Sequence, residues 1–382
     1  MSKEQNESYG LGKLSSTDEV AIPELSYKPS TPKSRNHIIG LIGCGGITQH
    51  HLTAYRNAGF QVASFCDRDK ARAEKMRDTF YPEASVCDDY RELLHQDEIT
   101  VVDIATHPHQ RVEIIEAALH AKKHVLSQKP FVLDLDTGER LASLADEMGV
   151  RLAVNQNGRW APHFAWMNAA IREGLVGEVT AVSFQLNWDH TWIAGTEFEK
   201  VHHIMLYDFA IHWFDMASQF LVGRDATRVQ ASVVHAAGQT VQPPLVACAT
   251  VEYPKAMAQF LFNGSSAFGA SDRTLVTGTL GTLLSIGRDL NSQSITLYRK
   301  EGVSQPQLQG SWFPDGFQGA MAELLCAVED DREPTNSARN NLRSLALAFA
   351  AIRSADTGCP VNPGEVRRLD ETDLNDRDPN KI

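Results

Sequence analysis

Apolar positions fall into two regimes along the chain. Over residues 36–156, short apolar runs alternate with helix-length stretches in which polar and apolar positions mix. The runs at 37–42 (HIIGLI), 61–66 (QVASFC), 101–106 (VVDIAT), 124–126 and 151–155, with a weaker one at 85–86, read as strands buried on both faces. Between them, 48–58, 69–80, 89–95, 111–121 and 136–148 read as helices. Such alternation predicts an α/β domain built on a doubly wound parallel sheet of six strands, the Rossmann arrangement.

After residue 156 the pattern changes. Pro162 is placed to open a helix that Gly174 closes. Period-two alternation then recurs at 179–188, 228–235, 245–253, 258–263, 274–284 and 294–299, with a single helical stretch at 205–221. A C-terminal α+β domain with an open, mostly antiparallel sheet is expected over 157–370. Its late helices, at 317–329 and 337–356, are expected to pack back on the first domain. Residues 1–35 are polar and carry Pro23, Pro29 and Pro32, so they read as a flexible arm free to lie on a neighbouring subunit. Residues 371–382 read as a flexible tail.

Composition narrows the classes. A net charge of −12 argues against nucleic acid or an anionic membrane surface as the main partner. No apolar run approaches the ~20 residues of a membrane span, and the first 36 residues contain no apolar leader. The six cysteines are scattered without a C-x-x-C pair, which suits reduced thiols and a cytoplasmic location. His202, His203 and His212, with Asp208 or Asp215, lack the spacing of a zinc helix, so no metal is expected.

The first strand runs into Gly43-Cys44-Gly45-Gly46-Ile47-Thr48. Gly43 suits a tight turn, and Gly45 and Gly46 would let backbone N–H groups approach a pyrophosphate where Ile47 leads into the helix. The third glycine of the usual fingerprint is Thr48 here. Asp67 ends the second strand, 22 residues beyond Gly45, where an acid accepts hydrogen bonds from the adenosine ribose. An acid there favours NAD, while Arg68 beside it could pair with a 2′-phosphate and leaves NADP open.

GCGGI after the first strand, ATHP at 105–108, KKHVLSQKP at 122–130, NGRWAP at 157–162, GLVGEV at 174–179 and YDFAIHWFD at 207–215 resemble the glucose–fructose oxidoreductase/inositol dehydrogenase/MocA family. The likeness runs from about residue 38 to the late helices. It implies that Lys129, the lysine of a Glu-Lys-Pro motif whose bond to proline is often cis, contacts substrate and nicotinamide ribose together. It implies that Asp208 and His212 complete the catalytic set, and that Thr106, His107, His109 and Gln128 lie beside the cofactor. Asn157, Arg159, Trp160, Trp188 and His203 are the expected substrate contacts. Side-chain chemistry agrees: residues four apart share a helix face, and an imidazole with an ordinary pKa of ~6.5 suits a base that takes a hydroxyl proton.

Three positions depart from the family. Gln128 replaces the glutamate, Arg111 stands where a histidine is common, and VHHIML at 201–206 replaces a glycine-rich run. The expectation is an NAD(P)-dependent oxidoreductase acting on a secondary hydroxyl of a sugar, polyol or similar compound, as a homodimer or homotetramer. Two alternatives are a lyase or glycosidase with an internal NAD redox cycle, and a non-catalytic sugar sensor.

Overall fold

The computed structural model describes residues 16–369. The first domain carries β1 (Ile38–Ile42), α1 (Thr48–Ala58), β2 (Gln61–Cys66), α2 (Lys70–Phe80), β3 (Ser85–Cys87), α3 (Tyr90–Leu94), β4 (Val101–Ile104), α4 (Pro108–His120), β5 (His124–Ser127), α5 (Leu135–Met148) and β6 (Leu152–Val154). The strands form one parallel sheet in the order β3-β2-β1-β4-β5-β6. All four residues of β4 are buried, which is why its sequence is nearly all apolar. The strand order reverses between β1 and β4, so a crevice opens beyond their C-terminal ends, where such sheets receive ligands.

In the second domain α6 (Pro162–Arg172) precedes an eight-stranded sheet of order β14-β13-β12-β11-β7-β10-β9-β8. Its members are β7 (Val179–Asn187), β8 (Arg228–Val234), β9 (Val246–Tyr253), β10 (Ala256–Asn263), β11 (Ser271–Gly278), β12 (Gly281–Gly287), β13 (Gln293–Arg299) and β14 (Gly302–Ser304). Only β7 and β10 pair in parallel. The single run expected over 274–284 is two strands. A Cβ at Gly278 would lie 2.2 Å from the carbonyl oxygen of Val176, so only glycine fits where the chain turns back. The turn hides in the sequence because an apolar residue, Leu280, sits at its exposed tip.

The helical stretch expected at 205–221 is a π-helical turn, Met205–Phe209, continued by α7 (Ile211–Phe220). Then α8 (Trp312–Glu329) and α9 (Ala338–Thr357) close the molecule. Phe317, Met321, Leu324 and Leu325 of α8 share one core with Ile39 and Leu41 of β1 and Leu52 and Tyr55 of α1. Leu342 of α9 presses on Gly138 of α5. Both late helices therefore tie the domains together by apolar burial.

A flexible arm over 1–35 is not what residues 16–35 form, and the reason is hydrogen bonding. Val20 N–H donates to the Val303 carbonyl at 2.9 Å, and Val303 N–H donates to Asp18 at 2.8 Å. Further on, the Glu329 carboxylate accepts the backbone N–H groups of Lys33 (2.8 Å) and Ser34 (2.7 Å). The segment straps its own chain from β14 to the end of α8. Residues 1–15 and the 371–382 tail lie outside the described residues.

Candidate active site

Lys129 leaves the C-terminal end of β5 through a cis bond to Pro130. Its Nζ lies 3.1 Å from Asp208 Oδ1 and 2.9 Å from the Asp208 carbonyl oxygen, so the two domains meet at this pair. Asp208 sits in the π turn, and His212 follows in the first turn of α7. Burial, and then the Lys129 cation, hold the His212 imidazole well below its ordinary pKa. It is therefore neutral at pH 7. The ring packs edge-on against Trp312 (5.5 Å) and Trp213 (6.2 Å), and its Nδ1 is buried without a partner.

The lysine loop is held from below by two devices that sequence reasoning did not assemble. Arg111 of α4, only 1% exposed, donates to the carbonyls of Gln128, Pro130 and Thr106. Burial pushes its guanidinium down to about 10, so it stays charged at neutral pH. The second device is a buried polar chain. The Lys129 N–H donates to Gln128 Oε1 (2.7 Å), and Gln128 Nε2 lies 3.1 Å from His51 Nε2. His51 Nδ1 is 2.7 Å from Asp103 Oδ2, which also accepts the Tyr55 hydroxyl at 2.7 Å. Asn155 Nδ2 adds a contact to His51 Nε2 at 3.2 Å. His51 lies on α1 and Asp103 on β4, and no local spacing in the sequence links them.

Around the glycine loop, Gly43 has φ +95°, and a Cβ there would lie 2.9 Å from the Ala105 backbone. Gly45 and Gly46 face open space. Asp67 accepts the Cys44 N–H on Oδ2 (2.7 Å) and the Asp69 N–H on Oδ1 (2.9 Å), tying the loop to the end of β2. Arg68 is exposed and Ile47 half-buried ahead of α1. The Thr106 hydroxyl is buried with no partner. His107 and His109 stack at 6.0 Å at the start of α4. An open glycine cradle, an acid beside it and an orphaned hydroxyl across the crevice fit a dinucleotide. Among the described residues, no group of three or more His, Cys, Asp or Glu is arranged to hold a metal ion.

The expected substrate contacts scatter. Arg159 is bound bidentately to Asp215 at 2.6 Å and 2.6 Å, with a third bond to the Thr335 carbonyl, so its fork is spent inside the protein. His203 faces Asp356 at 2.8 Å, and Asn157 Oδ1 accepts the Trp312 indole N–H at 3.2 Å. Trp160 packs over Gly319 of α8 and lines a cleft with Tyr27 and Lys28 of the strap. Trp188 meets Phe209, next to Asp208, edge-on at 5.0 Å. His190, two residues beyond Trp188, feels the charges of Asp208 and Lys129, and burial pushes it down to about 4. It belongs to the surroundings of the site.

Comparisons with known proteins identify the family. Residues 38–156 match the family model described as an oxidoreductase family with an NAD-binding Rossmann fold, and residues 164–284 match the C-terminal domain model of the same group. This chain belongs to the Gfo/Idh/MocA family and is an NAD(P)-dependent oxidoreductase. It is 28% identical over 343 residues to a D-apiose dehydrogenase of Paraburkholderia graminis, covering 84% of this chain and 88% of that one. An inositol 2-dehydrogenase of Rhizobium meliloti is 25% identical over 323 residues, covering 82% and 96%. In fold the chain is similar to an Agrobacterium radiobacter oxidoreductase solved with NAD+, L-tartaric acid and magnesium. That match has a TM-score of 0.77 at 22% identity and covers 86% of this chain and 99% of that one. No helix among the described residues is long and apolar enough to cross a membrane.

Proposed function

We propose that this protein oxidises a secondary hydroxyl of a sugar or polyol, or reduces the matching ketone, with Lys129, Asp208 and His212 around the reacting carbon. The observation that carries the reading is the Lys129–Asp208 contact of 3.1 Å between the domains, at the mouth of the dinucleotide crevice. The names of the apiose and inositol dehydrogenases support the substrate class.

When bound, the nicotinamide exchanges hydride with the substrate carbon. The protein's part is proton handling and charge. A hydroxyl gives up its carbon-bound hydrogen as hydride only while its O–H proton leaves. Neutral His212 accepts that proton. The Lys129 ammonium stabilises the negative charge that develops on the oxygen, and Asp208 keeps the ammonium pointed into the crevice. Gly43, Gly45, Gly46 and Ile47 would cradle the pyrophosphate, with Asp67 on the ribose.

The outer face of the larger sheet exposes Val234, Met257, Leu261 and Ile286. We infer that this face pairs two copies; a monomeric mass in solution would reject the pairing. The reaction is tested by following reduced-nicotinamide absorbance with a panel of sugars and polyols and either cofactor. Turnover that Lys129→Ala lowers by about 10²-fold or more is expected. Near wild-type turnover in that variant would overturn the residue assignment. A flat trace from a protein that releases bound NAD on denaturation would instead favour a cycle in which the cofactor is regenerated in place.

A further inference from the structure

Between β7 and the π turn, residues 189–200 form two short 3-10 helices, Thr191–Ile193 and Glu197–Lys200. The segment is held in one shape by its own hydrogen bonds. Asp189 Oδ1 accepts from Thr191 N–H at 2.9 Å and from its hydroxyl at 2.6 Å, and Glu199 Oε2 accepts the Gly195 N–H at 2.6 Å. Trp192 stands out from this frame with 57% of its surface exposed. An indole of that exposure is normally mobile, yet this one is pinned. Its Nε1–H donates to His190 Nδ1 at 3.2 Å, and its ring meets His190 and Phe198 edge-to-face at 5.0 Å and 5.7 Å.

The pinned indole belongs to a wall that reaches the reacting centre from both domains. On one side His190 packs on Phe209, the neighbour of Asp208, at 5.0 Å. On the other, Phe198 lies 6.3 Å from His107, which caps α4 at the dinucleotide crevice. A rigid aromatic surface beside a few converging polar groups is how pockets bind amphipathic ligands. The edge carrying Nε1 is already bonded, so the surface left open is apolar.

Resting on the sugar or polyol reading above, we propose that Trp192 is a stacking platform that selects a cyclic sugar or cyclitol over an open-chain polyol. A ring presents a flat patch of C–H groups, whose partial positive charge suits the negative face of an indole. An open-chain polyol offers no such patch without ordering several bonds, which costs entropy. Accepting the indole N–H on Nδ1, the neutral His190 ring carries its proton on Nε2.

The test compares Trp192→Ala, Trp192→Phe and Lys129→Ala on cyclic sugars and cyclitols against alditols of equal carbon number. Expected for Trp192→Ala is a KM for the cyclic substrate raised about tenfold, with kcat little changed and NAD affinity unaltered. Its preference for ring over chain should collapse, and Trp192→Phe should restore most of both. If Trp192→Ala keeps the wild-type KM and ring preference while Lys129→Ala loses turnover, the platform is overturned and the dehydrogenase reading stands. A variant that falls from oligomer to monomer without change in ring preference would make Trp192 an interface residue and overturn it too. A wild-type protein that turns over no member of either series overturns the dehydrogenase reading, and the platform with it.

Discussion

Gln128 Nε2 lies 3.1 Å from His51 Nε2, and the direction of that bond is determined. The Lys129 N–H points at Gln128 Oε1, so Oε1 is the acceptor and Nε2 the donor. His51 Nε2 must accept, which puts the ring proton on Nδ1, aimed at Asp103. Gln128 therefore presents a donor to the accepting Nε2 of His51. The glutamate that the family resemblance would put here would set two acceptors face to face unless a proton were added.

The Gln128→Glu variant should accordingly take up a proton on the new carboxyl in its folded state. A group whose folded pKa is raised stabilises at low pH and loses that contribution as pH rises through the folded value. The variant should thus be about 1–3 kcal/mol less stable than the parent at pH 8, with a smaller deficit at pH 6. Urea unfolding at the two values checks it. Equal deficits would reject this account of the chain from Lys129 to Asp103.

Buried neutral histidines predict acid sensitivity. Burial pushes His163 down to about 3 and His190 to about 4, and it holds His212 well below its ordinary value. Because the folded pKa is lowered, the unfolded chain binds more protons between about 6.5 and those values. Stability is therefore full above about pH 6.5, falls as the pH drops, and levels off near the folded pKa. Each such histidine contributes a slope of about 1.4 kcal/mol per pH unit in that window. Denaturant midpoints from pH 8 to pH 4.5 should show the fall, and His163→Leu should reduce its slope by one such contribution.

Asp215 and Arg159 form a buried bidentate pair, with Ser344 donating a further bond to Asp215 at 2.8 Å. Removing one partner leaves the other charge unpaired in the interior. Asp215→Ala should cost about 3–5 kcal/mol of stability. Because the Arg159 fork is already occupied, a conservative Arg159→Lys should lower the melting temperature and leave KM little changed. A large rise in KM with unchanged melting would return Arg159 to the substrate site.

Asp67 bonds the glycine loop and stands where the adenosine ribose is expected. Asp67→Ser removes the negative charge that opposes a 2′-phosphate and leaves Arg68 to attract it. The ratio of kcat/KM for NAD to that for NADP should fall by about tenfold or more. An unchanged ratio would mean that other groups choose the cofactor.

The strands of the first sheet were legible to within two residues at each end because a strand buried on both faces has to be mostly apolar, as 37–42, 61–66 and 101–106 are. The second sheet was harder to parse. Leu280 at an exposed turn made two strands look like one, and the brief β14 gave no periodic signal. Lys129, Asp208 and His212 could be named from motif resemblance, and the fold brings Lys129 to Asp208 and close enough to His212 to act on its charge. Arg159 and His203 could be named in the same way, but their side chains are engaged with Asp215 and Asp356.

What the sequence determined by itself is local: the alternation that makes a doubly wound sheet, the glycines that only a tight loop can use, and the spacing of Asp208 and His212. Tertiary structure alone decided what stands behind them. His51, Asp103 and Gln128 are 52 and 77 positions apart along their bonds, and their hydrogen bonds exist only after α1 packs on the sheet. Their polar atoms must find partners once burial removes water, and the fold, not any spacing along the chain, supplies those partners.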